Sequence, residues 1–348
     1  MSLMSTPFFY HPRMTAYDFG PQHPLKPERL RLTMALLAIV APEIELIDPG
    51  SATDSDLLRI HCSEYIEVVR RLSASEKVDD GQKSAHGFSG GDNPPFSGMY
   101  EASLAYVGGS VRAAEAIRDG QPLAFNLAGG LHHARYNQAS GFCIFNDCAI
   151  ACTILRERFD RIAYVDIDLH HGDGVQWLFY DDSSVMTCSI HESGNFLYPG
   201  TGSVEETGAD FSSVNAPLAP MTTGDTWLTA FQEVIMTSLK RFQPEAIVLQ
   251  MGADPHFLDP LGHLQVSAQE WLEAVQLIKS LDLPTVALGG GGYEMTTVPR
   301  MWVAATLTLL NREVPNRFFD SELPQPRNQG QNEAEQMIVH HRKVFKIS

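Results

Sequence analysis

Four short apolar runs set the architecture of this chain: Arg161–Ile167, Val185–Ile190, Ala246–Gln250 and Thr285–Leu288. Three are nearly continuous in apolar residues, the pattern of strands covered by helices on both faces. Segments of helical period lie before and between them, at Glu28–Val40, Asp54–Leu72, Gly98–Arg118, Asn146–Phe159, Trp227–Phe242 and Ser267–Leu281. Strands alternating with helices imply an α/β fold with a parallel sheet and right-handed crossovers. In open sheets of this kind ligands bind beyond the carboxyl ends of the strands. Each of the four runs leads into a polar or glycine-rich sequence: VDIDLHHGDG, SIHESGNFLYPGTG, QMGADPHFLDPLGH and GGGGYE. Those four ends are expected to converge on one crevice.

The 348 residues show no internal repeat and no linker-like boundary, so 4–348 read as one domain, with about 318–348 a C-terminal extension of it. The opening MSLM reads as a cloning remnant at Met1–Leu3 followed by a native start at Met4. Thr53 reads as a helix cap, Lys77–Pro95 as a long exposed loop and Pro324–Gln331 as surface chain. With 44% hydrophobic residues the chain can bury a core without disulfides. Its five cysteines, Cys62, Cys143, Cys148, Cys152 and Cys188, form no CxxC pair and read as reduced thiols. The formal charge is 25 − 42 = −17, and no Lys/Arg-rich run interrupts it. That balance argues against nucleic acid and against an anionic membrane surface. No run approaches the ~20 apolar residues of a membrane span, and the N-terminus lacks a signal-peptide core. The chain therefore reads as a soluble cytoplasmic protein suited to a cationic substrate. Nothing in it specifies an oligomeric state.

Side chains two apart share one face of an extended chain, so Asp166, Asp168 and His170 point the same way if the strand persists that far. A carboxylate and an imidazole at that spacing can share a metal ion, and Asp254 is the best-placed third ligand. Two Asp and one His suit Zn²⁺, with Fe²⁺ or Co²⁺ as alternatives. Three protein ligands leave a position open for water. A buried polar network, or a capping turn at His171–Gly174, is the plain alternative. Burying so many charges with nothing to neutralise them weighs against it. A second pair, His132 and His133, follows two glycines that let the backbone come close to another segment. Each imidazole needs an orienting partner on its far nitrogen, and Asp166 and Asp173 are carboxylates of the right kind.

The motifs LHHARYNQASGFCIFND, YVDIDLHHGDGVQWLFYDD, SIHESGNFLYPGTG, QMGADPHFLDPLGH and GGGGY, in that order, resemble the histone-deacetylase family of Zn-dependent amidohydrolases. HHGDGVQW, FYDD and GADPHFLDPLGHL bring the chain nearest to its bacterial acetoin-utilisation branch. GPQHPLKPERL and HCSEYIEVVR fit as well, so the resemblance spans roughly residues 8–310. It implies an arginase/deacetylase fold, about eight parallel strands flanked by helices, and hydrolysis of an acetyl-lysine-type amide. Carried over by position, Asp168, His170 and Asp254 match the metal ligands. His132 and His133 match the paired catalytic histidines, and Asp166 and Asp173 the carboxylates that orient them. Tyr293 matches the tyrosine that polarises the substrate carbonyl. Phe142 and Tyr198 match the walls of the acyl-lysine channel, with Gly141 beside them, and Asp92 matches a rim aspartate that holds the substrate backbone. Arg29 matches an arginine near an internal acetate pocket. The family also implies K⁺ near Asp166, Asp168, His170, Ser189 and Ile190. One departure stands out: Tyr198 occupies a position where the family most often has Phe.

The mechanism this implies has the metal and Tyr293 polarising a carbonyl while a histidine, by preference His133, takes the proton of the attacking water. The expected substrate is an acetylated protein lysine, or else an acetylated small amine such as a polyamine. The absence of a longer insertion in Met14–Glu28 favours the first. An arginase-like second metal would need carboxylates where His132 and His133 stand. A non-catalytic acyl-lysine reader would not need two oriented bases. His171 is left without a chemical role and is expected to be structural. His191, His256 and His263 are expected to support the site or lie on the surface.

Overall fold

The structure is a computed structural model that describes residues 6–347, so the reading of Met1–Leu3 and Met4 lies outside the described residues. Among the described residues eight strands form one sheet: β1 Phe8–Phe9, β2 Leu46–Ile47, β3 Leu123–Asn126, β4 Ile162–Asp166, β5 Val185–Glu192, β6 Ser213–Leu218, β7 Ala246–Gln250 and β8 Thr285–Leu288. All pairings are parallel, in the order β2-β1-β3-β8-β7-β4-β5-β6. This is the arginase/deacetylase fold.

The helices sort by the direction in which the chain steps along the sheet. Steps towards β6 carry the helices Ser63–Ser73, Met99–Arg118, Asp147–Leu155 and Asp173–Leu178, which bury Tyr65, Val107, Ile150 and Val175 on one face. Steps back towards β2 carry Glu28–Val40, Gly224–Ala230, Thr237–Phe242 and Ala268–Lys279, which bury Leu37, Trp227, Leu239 and Trp271 on the other. One crossover hand, applied throughout, produces this division. The strands between alternate accordingly. In β4, Ile162 and Tyr164 join the first core while Ala163 and Val165 join the second.

Between the neighbours β4 and β7 the chain leaves in opposite directions, to β5 and to β8. Such a reversal leaves a crevice at the carboxyl ends of the two strands. The sequences DLHHGD and GADP follow those strands directly.

Two expectations about helices need correction. The segment 54–72 is two helices, Asp54–Leu57 and Ser63–Ser73, not one. At the break His61 turns inward, its Nδ1 3.0 Å from the Arg135 carbonyl and its Nε2 accepting from the Asn146 amide at 3.0 Å. Burial holds that imidazole neutral, with its pKa pushed down to about 4. The segment 77–95 is not wholly loop: Asp79 caps a short helix, Asp80–Ala85, by accepting from the Gln82 amide.

The C-terminal extension packs Ala334, Ile338 and Phe345 from the region of the helix Gln331–Val344 into the second core. Asp320 anchors its start, accepting from the Ala268 amide at 2.8 Å, from Arg300 at 2.7 Å and from His256 Nε2 at 3.0 Å. Burial opposes ionisation of this carboxyl, but those donors outweigh it and hold the pKa at about 2. Because that lies below the ~3.9 of an unfolded aspartate, the stabilisation is full above pH ~3.9 and is lost as pH falls towards 2. Asp320→Asn is therefore expected to lower the urea midpoint at pH 7 and to lower it less at pH 3. A deficit equal at both pH values would contradict this.

Candidate metal and active site

The pairing of β4 stops at Asp166, and consecutive side-chain turns replace the ladder. The Asp168 amide donates to Asp166 Oδ1 at 3.1 Å, and the His170 amide to Asp168 Oδ1 at 3.0 Å. The condition under which Asp166, Asp168 and His170 would point the same way, a strand running through to His170, is not met, since β4 ends at Asp166. Asp166 turns to His132, whereas Asp168 and His170 turn to Asp254. His170 Nδ1 lies 3.3 Å from Asp168 Oδ1 and 3.2 Å from Asp254 Oδ2.

The remaining oxygens are also held. Asp168 Oδ2 accepts from Gln250 Nε2 at 2.7 Å and from the Gly291 amide at 2.8 Å, and Asp254 Oδ1 accepts from the Leu169 amide at 3.1 Å. The three residues are buried, with one ligand atom of each within 4.8 Å of the others. Two carboxylate oxygens and an imidazole nitrogen make a donor set that fits a divalent ion such as Zn²⁺. The local field favours a cation there. Burial opposes charge on His170, yet Asp168 and Asp254 raise its pKa to about 10. Burial and the charge of Asp168 together raise that of Asp254. His132, Asp166 and Asp168 form a second such cluster. There Asp166 Oδ2 is already engaged by the Tyr164 hydroxyl at 2.6 Å and by His132 Nδ1 at 2.7 Å.

His132 and His133 sit on the loop after β3. Gly130, at φ +94°, brings that loop against the β8 loop, where a Cβ would lie 2.5 Å from the Gly289 carbonyl oxygen. Asp147 clamps it by accepting from the Gly130 and Leu131 amides at 2.9 and 2.8 Å. Asn146 Nδ2 donates to the carbonyls of His132 and Ala134. His132 Nδ1 faces Asp166, and His133 Nδ1 faces Asp173 Oδ1 at 2.7 Å, which leaves the two Nε2 atoms 3.0 Å apart. The two environments differ. Burial would lower the His132 pKa, but Asp166 and Asp168 hold it up at about 9. Burial and the neighbouring His132 push that of His133 down to about 4, against the pull of Asp173. Asp173 has a second partner, Arg135, at 2.8 Å.

These groups open on one cavity of ≈ 20 Å³, about the space of one water, lined by His132, His133, Asp168, His170, Phe142 and Tyr293 among others. Tyr293 is positioned by its own amide, which donates to Asp259 Oδ2 at 2.7 Å, and its ring stands edge-on to Phe142 at 5.8 Å. Burial, then Asp254 and Asp168, raise the Tyr293 pKa well above that of a free phenol, so the hydroxyl keeps its proton. Gly141 and Cys143 line the same space. Tyr198 stands edge-on to His133 at 5.1 Å and is 38% exposed, which puts it towards the mouth. Arg29 is buried, donating to the carbonyls of Gly290 at 2.8 Å and Gly292 at 3.0 Å, and it also borders a second cavity of ≈ 30 Å³ beside Tyr17 and Trp302. Asp92 is exposed on its loop. Its carbonyl lies 3.1 Å from His23 Nε2, and the His23 ring packs edge-on against Phe142 at 4.4 Å. Ser189 pairs in register with Asp166, but its hydroxyl is engaged by His191 Nδ1 at 2.9 Å, and Ile190 lies in the second core.

His171 is buried, with Nδ1 2.8 Å from the Thr201 hydroxyl and Nε2 3.1 Å from Gln176 Oε1, so it ties the Tyr198 loop to the helix Asp173–Leu178. His191 and His256 are buried and His263 is largely exposed. Sequence reasoning missed Gln250, Asn146, Asp147, Arg135, Asp259 and Tyr164. Gln250 could have been found as the one polar residue of an apolar strand, in register with Asp166.

A sheet reversing at β4 and β7, with a carboxylate–imidazole cluster in the crevice, defines the class of arginase/deacetylase-fold proteins. Within it the chain belongs to the histone deacetylase family: the Histone deacetylase domain matches residues 23–309. It is 38% identical over 324 residues to histone deacetylase clr6 of Schizosaccharomyces pombe, across 91% of this chain and 78% of that protein. It is also 38% identical over 315 residues to the acetoin utilization protein AcuC of Bacillus subtilis, across 87% of this chain and 81% of that protein. Against histone deacetylase 1 of Oryza sativa it is 36% identical over 323 residues, 90% of this chain but 62% of the longer rice protein. Among the described residues no helix is long and apolar enough to cross a membrane.

Gly291 offers a test of the cluster that leaves Asp168, His170 and Asp254 themselves unchanged. A Cβ there would lie 2.1 Å from Asp254 Oδ2 and 2.9 Å from Asp168 Oδ2. Gly291→Ala is expected to weaken Co²⁺ or Zn²⁺ binding by about tenfold or more, the usual size for a disturbed ligand support. The denaturation midpoint of the metal-free chain should also fall, because the buried carboxylates must shift to admit the Cβ, so affinity is compared under conditions where both chains are folded. Equal Co²⁺ affinities in a calorimetric titration would argue against a metal at these three residues.

Proposed function

We propose that this chain is a Zn²⁺-dependent deacetylase that hydrolyses the acetyl amide of Nε-acetyl-lysine, with the ion held by Asp168, His170 and Asp254. The observation that carries the reading is the pair of carboxylate-backed imidazoles, Nε2 atoms 3.0 Å apart, opening on the cavity that Asp168, His170 and Tyr293 also line. A binding protein would have no use for two imidazoles each oriented by its own carboxylate. Family membership supports amide hydrolysis, and relatives named histone deacetylase and acetoin utilization protein support an acetylated substrate.

When bound, the ion supplies Lewis acidity, which makes a water easier to deprotonate and polarises the substrate carbonyl. His133, neutral and held by Asp173, takes the proton of the attacking water through Nε2. His132, kept cationic by Asp166, stabilises the negative charge that develops beside it. Tyr293 keeps its proton and donates a hydrogen bond to the oxyanion. The proton on His133 then passes to the leaving lysine amine, so the base ends the cycle neutral. Phe142 and Tyr198 flank the aliphatic stem, with Gly141 between them and Asp92 at the rim holding the substrate backbone. Arg29 would serve an anion such as the acetate released. A K⁺ beside the backbone of Asp166, Asp168 and His170 and at Ser189 and Ile190 belongs to the same proposal, as does replacement of Zn²⁺ by Fe²⁺ or Co²⁺. Protein lysine is the preferred substrate class over acetylpolyamines because Met14–Glu28 carries no added segment.

An acetyl-lysine peptide with a fluorogenic leaving group should be turned over by the Zn²⁺-loaded chain, and chelation should abolish the signal until Zn²⁺ is returned. Failure with Zn²⁺, Fe²⁺ and Co²⁺ alike would sink the proposal. Faster turnover of acetylated polyamines would redirect it to small amines. Tyr293→Phe should retain metal affinity and lose about 100-fold or more in kcat, as expected for one oxyanion donor. Unchanged turnover would remove Tyr293 from the chemistry.

A further inference from the structure

The segment Ser140–Cys143 is a two-residue turn closed by reciprocal bonds: Ser140 N to Cys143 O at 3.0 Å and Cys143 N to Ser140 O at 2.8 Å. Gly141 and Phe142 at its tip both have positive φ, +48° and +66°, the conformation of a tight primed turn. For Phe142, which carries a Cβ, that conformation is unfavourable, so its surroundings must impose it. The Tyr17 hydroxyl does so, donating to the Phe142 carbonyl at 2.8 Å and accepting from the Ile144 amide at 3.1 Å. One wall of the proposed channel is thus presented by a turn with no freedom left.

The opposite wall is fixed in two stages. Behind Tyr198 its loop is pinned by Thr201 on His171 at 2.8 Å, by the Gly202 carbonyl on His191 at 3.0 Å, and by the Gly202 and Ser203 amides on Glu206 at 2.9 and 3.2 Å. That leaves the Tyr198 ring only its own side-chain torsions. The Tyr198 hydroxyl removes those as well, because it bonds the hydroxyl of Ser140 at the base of the turn that carries Phe142. The bond joins the two walls directly. A phenylalanine at 198 would keep the ring and lack the tie.

We propose that the Tyr198–Ser140 hydroxyl pair is a clasp that fixes the bore of the channel and so selects acetyl amides carried on slim, unbranched alkyl chains. The inference rests on the proposed deacetylase function and names the substrate shape it accepts. Tyr198 and Ser140 are specificity-determining residues in this account. Neither takes part in bond making.

The test compares two peptides, one with Nε-acetyl-lysine and one with its analogue bearing a methyl on the carbon next to the amide nitrogen. Both are assayed with the unmodified Zn²⁺-loaded chain, with Tyr198→Phe, with Ser140→Ala and with the double variant. A loss common to both substrates cancels in the ratio of kcat/KM for branched over straight substrate, and their intrinsic reactivities cancel when that ratio is compared between the unmodified chain and a variant. Each single variant should raise that ratio by about fivefold or more, the fold-change an ordinary hydrogen bond is worth. The double variant should raise it no further, since both changes break one bond. Ratios unchanged in the single variants, or effects that multiply in the double, overturn the clasp while leaving the deacetylase reading intact. No turnover of either peptide by the unmodified chain overturns the deacetylase reading, and the clasp falls with it.

Discussion

Two buried carboxylates, Asp168 and Asp254, face a single imidazole at the end of the sheet, and much of the molecule exists to keep them there. Like charges at that separation repel, and burial removes the water that would otherwise screen them. The donors that offset this come from separate parts of the chain: Gln250 at the end of β7, the Leu169 amide beyond β4 and the Gly291 amide beyond β8. Each is an end of a strand, and the strands are held in register by the parallel ladder. The local cluster is thus stable only as a property of the whole sheet.

The same logic extends outward to the histidines. Their loop has no partner strand beyond β3, so Asp147 and Asn146 at the head of a helix hold its backbone instead. Asp166 and Asp173 then orient one ring each, and the Asp168 amide and Arg135 occupy the oxygens left over. Every buried acid in this region has both of its oxygens engaged, and the groups that engage them come from both sides of the crevice. In the outer parts of the site, the turn at Ser140–Cys143 and the loop of Tyr198, hydroxyls rather than charges decide the geometry: Tyr17 holds the turn and the Tyr198–Ser140 pair joins it to the loop.

How much of this the sequence discloses depends on how each element earns its place. β4, β5, β7 and β8 are legible because their apolar runs are buried on both faces. β1 and β2 are two residues each, and β2 is exposed at the sheet edge, so no pattern can form. β6 contains Asn215 and Pro217, which blur its alternation. The helices Thr297–Leu309 and Gln331–Val344 went unread for want of clear caps, and the break at His61 depends on partners some seventy-five and eighty-five residues away. At the site, the residues that the family motifs mark lie together, as the quoted stretches led one to expect. The supporting groups escaped notice because Gln250, Asp147 and Tyr164 matter only through contacts across the fold. His171, which the motifs leave without a chemical role, bonds Thr201 and Gln176 and so holds the loop of Tyr198.

The strand order also governs how the chain must be made. β3 and β4 are separated by β8 and β7, which are synthesised last. Without β7 and β8 the strand order falls into two separate sets, β2-β1-β3 and β4-β5-β6, with β3 and β4 at their unpaired edges. Three strand spacings, about 14 Å, divide them in the finished sheet. His132 and His133 belong to the first set and Asp168 and His170 to the second, and exposed edges of this kind invite pairing with other chains. The cluster of Asp168, His170 and Asp254 therefore cannot assemble before residue 254 is made, and a chain cut short before β7 would lack it.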